Sequence, residues 1–303
     1  MPARPPSPGW HFGLWHSGLW HSGAWHSGAW HSGAWRSAAR FAAIGAAGLA
    51  VAYAGPGMTG IGPVRMLVFR RLAGQGDPAH VALTFDDGPD PESTPEFAQA
   101  LAERGIRATF FMLGSMVAKA PGLAADIAAA GHEVGVHGYD HRYLTVRGPR
   151  ATRSDLTRAT ELIASVTGTR PWLYRPPYGV LSGPALLAAR HLGLTPVLWG
   201  AWGREWAPGA TPTSVLQTLI RGLDGGVTIL LHDSGCTAPP GAWQAGLAAL
   251  QPLLDECERR GLRVGPLGEH DLPGVIPPRS AGRDKTVSPA PGDAAALRSR
   301  PPR

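Results

Sequence analysis

From Ala79 onward the chain alternates short apolar runs with longer amphipathic stretches. The runs, four to eight residues rich in branched and aromatic side chains, read as strands over Val81–Phe85, 108–113, Glu133–Val136, 172–174, 195–199, 227–231 and 262–264. Between them, apolar positions recur at three and four residues, giving helices near 121–130, 150–167, 184–192, 213–223 and 242–260. Another helix starts after Ser93, where Glu96 three residues on makes a capping box and Pro95 sits just inside the first turn. Strands alternating with helices imply parallel strands joined by right-handed crossovers. Seven such units predict an α/β fold, a distorted and incomplete (β/α)7 barrel.

Outside this region the periodicity fails. Residues 1–37 hold the repeat GLWHS, GLWHS, GAWHS, GAWHS, GAWRS, whose five-residue period suits neither helix nor strand, and they read as a disordered low-complexity tail or a translated DNA repeat. Its histidines at 11, 16, 21, 26 and 31 lack the order that would hold a metal geometry. Met58 and Met66 are candidate later starts. Residues 38–57 carry Arg40 and the apolar stretch Phe41–Ala54, ending in Ala52-Tyr53-Ala54. Fourteen apolar residues are short for a bilayer span of about 20 but suit a signal core or shallow anchor. Residues 58–76 read as a linker, 77–273 as the folded domain and 274–303 as a second disordered tail.

Composition changes this picture little. The apolar content of 44% supplies ample core, and Gly 41 with Pro 30 suits long loops and tails. The net charge of +6 is spread in single arginines and short pairs such as Arg70-Arg71, with no aromatic–basic stripe for a nucleic acid. It suits an acidic envelope or membrane surface instead. Two cysteines, Cys236 and Cys257, leave room for one bridge and exclude a disulfide framework.

In a parallel barrel, chemistry gathers where strands finish. Here the ends carry Asp86-Asp87, His137-Gly-Tyr-Asp-His141, Arg175-Pro-Pro-Tyr-Gly179, the tryptophan-rich run from Trp199 to Trp206, and His232-Asp233. The acidic pair alone could simply close a strand in a turn. Two histidines four apart on one helical turn, joined by a carboxylate, make three protein ligands with positions left open for water and substrate. Zinc held in this way would acidify its water and polarise a carbonyl. Arg175 could otherwise be a surface ion pair, and Tyr178 core filling. His80, His132, His191 and His270 read as structural, Asp140 as solvated or supporting, and Asp90 and Asp233 as loop or capping groups.

TFDDGP, HGYDH, RPPYG and LLHD, in that order over Thr84–Asp233, resemble the polysaccharide deacetylase family, carbohydrate esterase family 4 with its NodB-homology domain. The resemblance covers the whole folded region. It implies a hydrolase that removes N-acetyl groups from N-acetylglucosamine units of a polysaccharide such as peptidoglycan or chitin. It also implies a divalent metal, zinc or alternatively cobalt, while the apolar stretch 41–54 predicts a place outside the cytoplasm, secreted or tethered through those residues. Carried over, Asp86 is the general base, and Asp87, His137 and His141 are metal ligands. Arg175 holds Asp86, the backbone of Tyr178 faces the oxyanion, His232 protonates the leaving amine beside Leu231, and Glu205 orients His232, with Trp206 against the sugar. Two positions depart from the family pattern: Gly138 replaces a hydroxyl residue, and Glu205 replaces an aspartate. A hydrolase of small cyclic amides or esters and a non-catalytic sugar-binding barrel are the competing readings.

Overall fold

The computed structural model describes residues 30–275, with side chains described from residue 40. The early repeat, most of its histidines and the tail from residue 276 lie outside the described residues. The N-terminal helix α1 (Trp30–Ala54) begins inside the stretch that showed no helical period. With the 3-10 helix Gly55–Gly60 that follows, it gives the segment Arg40–Gly60, which by length and composition alone is long and apolar enough to cross a bilayer.

From Ala50 to Val275 the described residues form one compact unit. Its sheet contains β1 (His80–Asp86), β2 (Thr109–Met112), β3 (Glu133–Val136), β4 (Leu173–Tyr174), β5 (Thr195–Pro196), β6 (Ala201–Trp202), β7 (Thr228–His232) and β8 (Arg263–Gly265). The order is β5-β4-β3-β2-β1-β7-β6, every pairing is parallel, and β8 adds to β1. Ala82 pairs with both Thr228 and Gly265, so β8 lies on the β2 side of β1, below the point where β2 takes over at Thr84. β1 is buried along its whole length, as expected of a central parallel strand covered on both faces. Phe85 stacks on Phe110 at 5.0 Å and meets Phe97 at 5.2 Å.

The sheet curls but does not close between β5 and β6. The strand expected over 195–199 is confined to β5, Thr195–Pro196, and a further short strand, β6, follows it at Ala201–Trp202. Val197 N–H still bonds Tyr174 O on β4, but Gly200 N–H bonds Thr228 O on β7, so the chain changes partners across the gap. Residues 58–76, expected as a linker, fill that gap. They include helix α2 (Gly62–Val68), Leu72 O accepts from Leu198 N–H at 2.7 Å, and buried Arg65 donates through Nε to Trp199 O at 3.0 Å. Backbone groups at an open sheet edge must find partners, and this segment supplies them.

Around the sheet run α3 (Thr94–Ala102), α4 (Gly114–Lys119), α5 (Pro121–Ala129), α6 (Pro149–Thr167), α7 (Gly183–Leu192), α8 (Pro212–Arg221) and α9 (Ala242–Arg259). The capping box expected at Ser93 does not form, because Ser93 Oγ donates instead to Asp233 O at 2.6 Å. A reciprocal box caps α8, between Thr211 and Ser214. Both cysteines are free. The four histidines expected to be structural make local bonds. His80 and His270 pair through Nδ1 at 2.8 Å, His132 Nδ1 accepts from Ala108 N–H, and His191 bonds within α7.

Candidate active site and metal centre

Adjacent residues of a strand point to opposite faces, yet the Asp86 and Asp87 carboxylates both approach His137 Nε2. The alternation breaks because Asp87 leaves β1 in the left-handed region, with φ 78°. His141 (φ 52°) and Tyr178 (φ 60°) share this unusual backbone, and such strained positions persist only where the surroundings fix them. The expected helical turn between the two histidines is absent. Residues 137–143 form a loop, turned by Gly138 at φ 92°, that brings the imidazole centres to 5.1 Å.

Asp87 Oδ1 stands 3.3 Å from His137 Nε2 and 3.4 Å from His141 Nε2. Donor atoms about 2.1 Å from a tetrahedral zinc are themselves about 3.4 Å apart. Asp87 Oδ1 is buried without a hydrogen-bond partner, as a carboxylate oxygen reserved for a cation would be. His137 Nδ1–H donates to Arg175 O at 2.9 Å, which leaves the Nε2 lone pair facing Asp87. Burial and the neighbouring His137 hold His141 down at about 4, so it presents a neutral ring. Burial alone would push Asp87 up, but His137, His232 and His141 outweigh it and keep the carboxylate ionised. These residues fit a divalent cation.

Asp86 is held apart from this set. Its Oδ1 accepts from Arg175 Nη1 at 2.7 Å, and its Oδ2 lies 3.7 Å from His137 Nε2. Arg175 is fully buried, not a surface ion pair. It also donates to Thr84 Oγ1, Val197 O and Leu198 O, and lies 4.1 Å over the Phe111 ring. Across the cavity, Glu205 Oε1 accepts from both the backbone N–H and Nδ1 of His232, at 2.7 and 2.8 Å. Burial disfavours a charged ring there, yet the Glu205 carboxylate prevails and raises His232 to about 9.

The cavity between these groups measures about 280 Å³ and is walled by Trp199, Trp202, Trp206 and Leu230. Trp206 meets His232 edge-on at 5.0 Å. Leu231, expected beside the substrate, is wholly buried in the core. Strand alternation turns Leu230 and His232 toward the cavity and Leu231 away from it. Tyr178 borders the cavity and stacks its half-exposed ring on Tyr143 at 3.8 Å. Asp140 is solvated near Arg142.

Three supporting residues had no signal in the sequence. Thr237, from the loop between β7 and α9, donates to Asp87 Oδ2. Asp155 on α6 accepts from Tyr139 N–H at 2.9 Å and from Arg147, bracing the histidine loop. Its Oδ2 would lie 3.2 Å from a Cβ at Gly138, so a side chain there is opposed by both contact and φ. Thr94 Oγ1 donates to Asp233 Oδ2 at 2.6 Å. Asp233 is thus buried rather than a plain loop group, and burial next to Asp87 lifts its carboxyl to about 7.

Residues 73–197 match the family model described as polysaccharide deacetylase. A peptidoglycan-N-acetylglucosamine deacetylase of Bacillus cereus is 32% identical over 193 residues, covering 62% of this chain and 86% of its own. This chain belongs to the polysaccharide deacetylase family. A chitooligosaccharide deacetylase of Bradyrhizobium is 33% identical, with 62% and 88% covered. The structure of a family 4 carbohydrate esterase from Streptomyces lividans in complex with acetate superposes with TM-score 0.57 at 31% identity, covering 67% and 100%. The curled parallel sheet is the fold of these family 4 enzymes.

Proposed function

We propose that this polysaccharide deacetylase hydrolyses the acetamido group of N-acetylglucosamine units in a cell-wall or chitin-like glycan. The observation that carries this reading is the pairing of an Asp87–His137–His141 ligand set with the Arg175-held carboxylate of Asp86 on one side and the Glu205-paired imidazole of His232 on the other. Asp87, His137 and His141 would hold a divalent cation, zinc the first choice, which would supply a Lewis acid for the carbonyl and acidify the attacking water. Asp86, fixed by Arg175, takes the proton of that water as the C–O bond forms. The backbone N–H of Tyr178 is assigned to the oxyanion. His232, charged through Glu205, gives its proton to the nitrogen as the C–N bond breaks, releasing acetate and a free amine. Trp202, exposed at the rim, and Trp206 offer indole faces to the sugar. The apolar helix supports a tethered or exported protein, with residues 41–54 as anchor or signal.

The test is acetate release from chitooligosaccharides and peptidoglycan by chelator-stripped protein before and after zinc is restored. The expected result is no acetate from the stripped protein and full recovery with the ion. Acetate release indifferent to chelation, or glycan binding without any acetate, would overturn the proposal.

A further inference from the structure

Large apolar side chains are exposed on the compact unit around its first residues, Ala50–Ile61. Val51, Met58, Ile61, Val146 and Leu187 are 70%, 54%, 52%, 84% and 62% exposed. They come from three separate stretches of chain that contacts bring together. Tyr53 Oη donates to Arg147 O, beside Val146. A Cβ on Gly57 would lie 3.7 Å from Thr145 Cγ2 and 3.6 Å from Val180 Cγ1, and Gly183 packs directly on Ala52 O. Leu187 follows Gly183 by one turn of α7 and so shares its face. A solitary exposed leucine is unremarkable, whereas five on one face form a patch that a protein in water does not keep without a use.

Charge identifies the partner. Residues 50–76, 141–154 and 175–194, which supply this face, contain six exposed arginines, Arg70, Arg71, Arg142, Arg150, Arg153 and Arg190, and no carboxylate, with Asp140 beside Arg142 just outside them. Exposed apolar side chains and arginines on the same stretches of chain, continuous with a segment apolar enough to span a bilayer, match the interface of an anionic membrane. The patch adjoins the catalytic mouth, since Gly57 and Gly60 pack on Val180, two residues beyond Tyr178, and Tyr143 stacks on Tyr178.

We propose that this collar seats the catalytic domain itself on an anionic lipid surface, so that the mouth works on glycan lying next to the bilayer. The proposal rests on the reading of α1 as a membrane tether and adds a second contact to it. It is tested on the full chain carrying Cys236→Ser, with a single new cysteine at Val146, Leu187 or Glu258, labelled with a polarity-sensitive fluorophore. Glu258 is exposed at the end of α9, at the opposite end of the strands. The labelled protein is reconstituted into phosphatidylethanolamine–phosphatidylglycerol vesicles or into phosphatidylcholine vesicles. Blue-shifted emission at 146 and 187, quenched by lipid carrying a nitroxide in its acyl chain, is expected with phosphatidylglycerol, and neither effect at 258. Water-like emission at 146 and 187 from protein that floats with the vesicles overturns the collar and leaves the tether standing. Protein that does not float overturns both, and equal shifts in the two lipids overturn the anionic surface.

Discussion

Replacing Glu205 with Gln keeps the shape of the side chain and removes its charge, which isolates what that carboxylate does to His232. In the wild-type site the ring is raised from 6.5 to about 9, against burial, with Glu205 the largest favourable influence. Without the charge, burial dominates and the ring falls to 6.5 or below. That change lowers its proton affinity by roughly 300-fold, about 3 kcal/mol at 1.36 kcal/mol per pH unit. The assay is an NMR titration of the His232 imidazole in metal-free protein, wild type against Glu205→Gln. Stability carries the same signature. A group whose pKa is raised by folding stabilises fully below its unfolded value and loses that contribution as pH rises through its folded value. The deficit of Glu205→Gln in denaturant unfolding is therefore largest near pH 6 and shrinks between 6.5 and about 9. A mutant ring still titrating near 9 would refute the reasoning, showing that Asp86 and Asp87 hold the proton without Glu205.

Asp86→Asn should lower kcat/KM for acetate release by roughly 10²–10⁴-fold while zinc content, measured by mass spectrometry, stays unchanged. Arg175→Met strands a buried carboxylate at Asp86 and should cost about 3–5 kcal/mol in denaturant unfolding. Thr237→Val frees Asp87 Oδ2 and should weaken zinc binding by about 10–100-fold in calorimetry, with Thr237→Ser restoring it.

The chemistry was legible in the sequence because its residues sit at strand ends, where short motifs survive as contiguous words. Asp86-Asp87, the two histidines of HGYDH, Arg175 and His232 stand out in TFDDGP, HGYDH, RPPYG and LLHD, and the structure places Asp86, His137, His141 and His232 on one cavity, with Asp87 against the two histidines and Arg175 behind Asp86. The order of strands and helices followed from periodicity for the same reason, since each element records its own buried face. Tertiary structure decided what depends on partners distant along the chain. Thr237 reaches Asp87 across 150 residues, and no local pattern marks a threonine for that bond. Leu231 and Leu230 are equally apolar in sequence, and only the register of β7 against β1 turns one to the core and the other to the cavity. Residues 58–76 look like a linker because they lack periodicity, yet an unclosed barrel needs donors and acceptors at its gap, and Arg65 and Leu72 supply them. Sequence alone thus determined which groups gather at the strand ends and in what order the elements run. Packing decided how those groups are held, because hydrogen bonds and burial join residues that the chain keeps far apart.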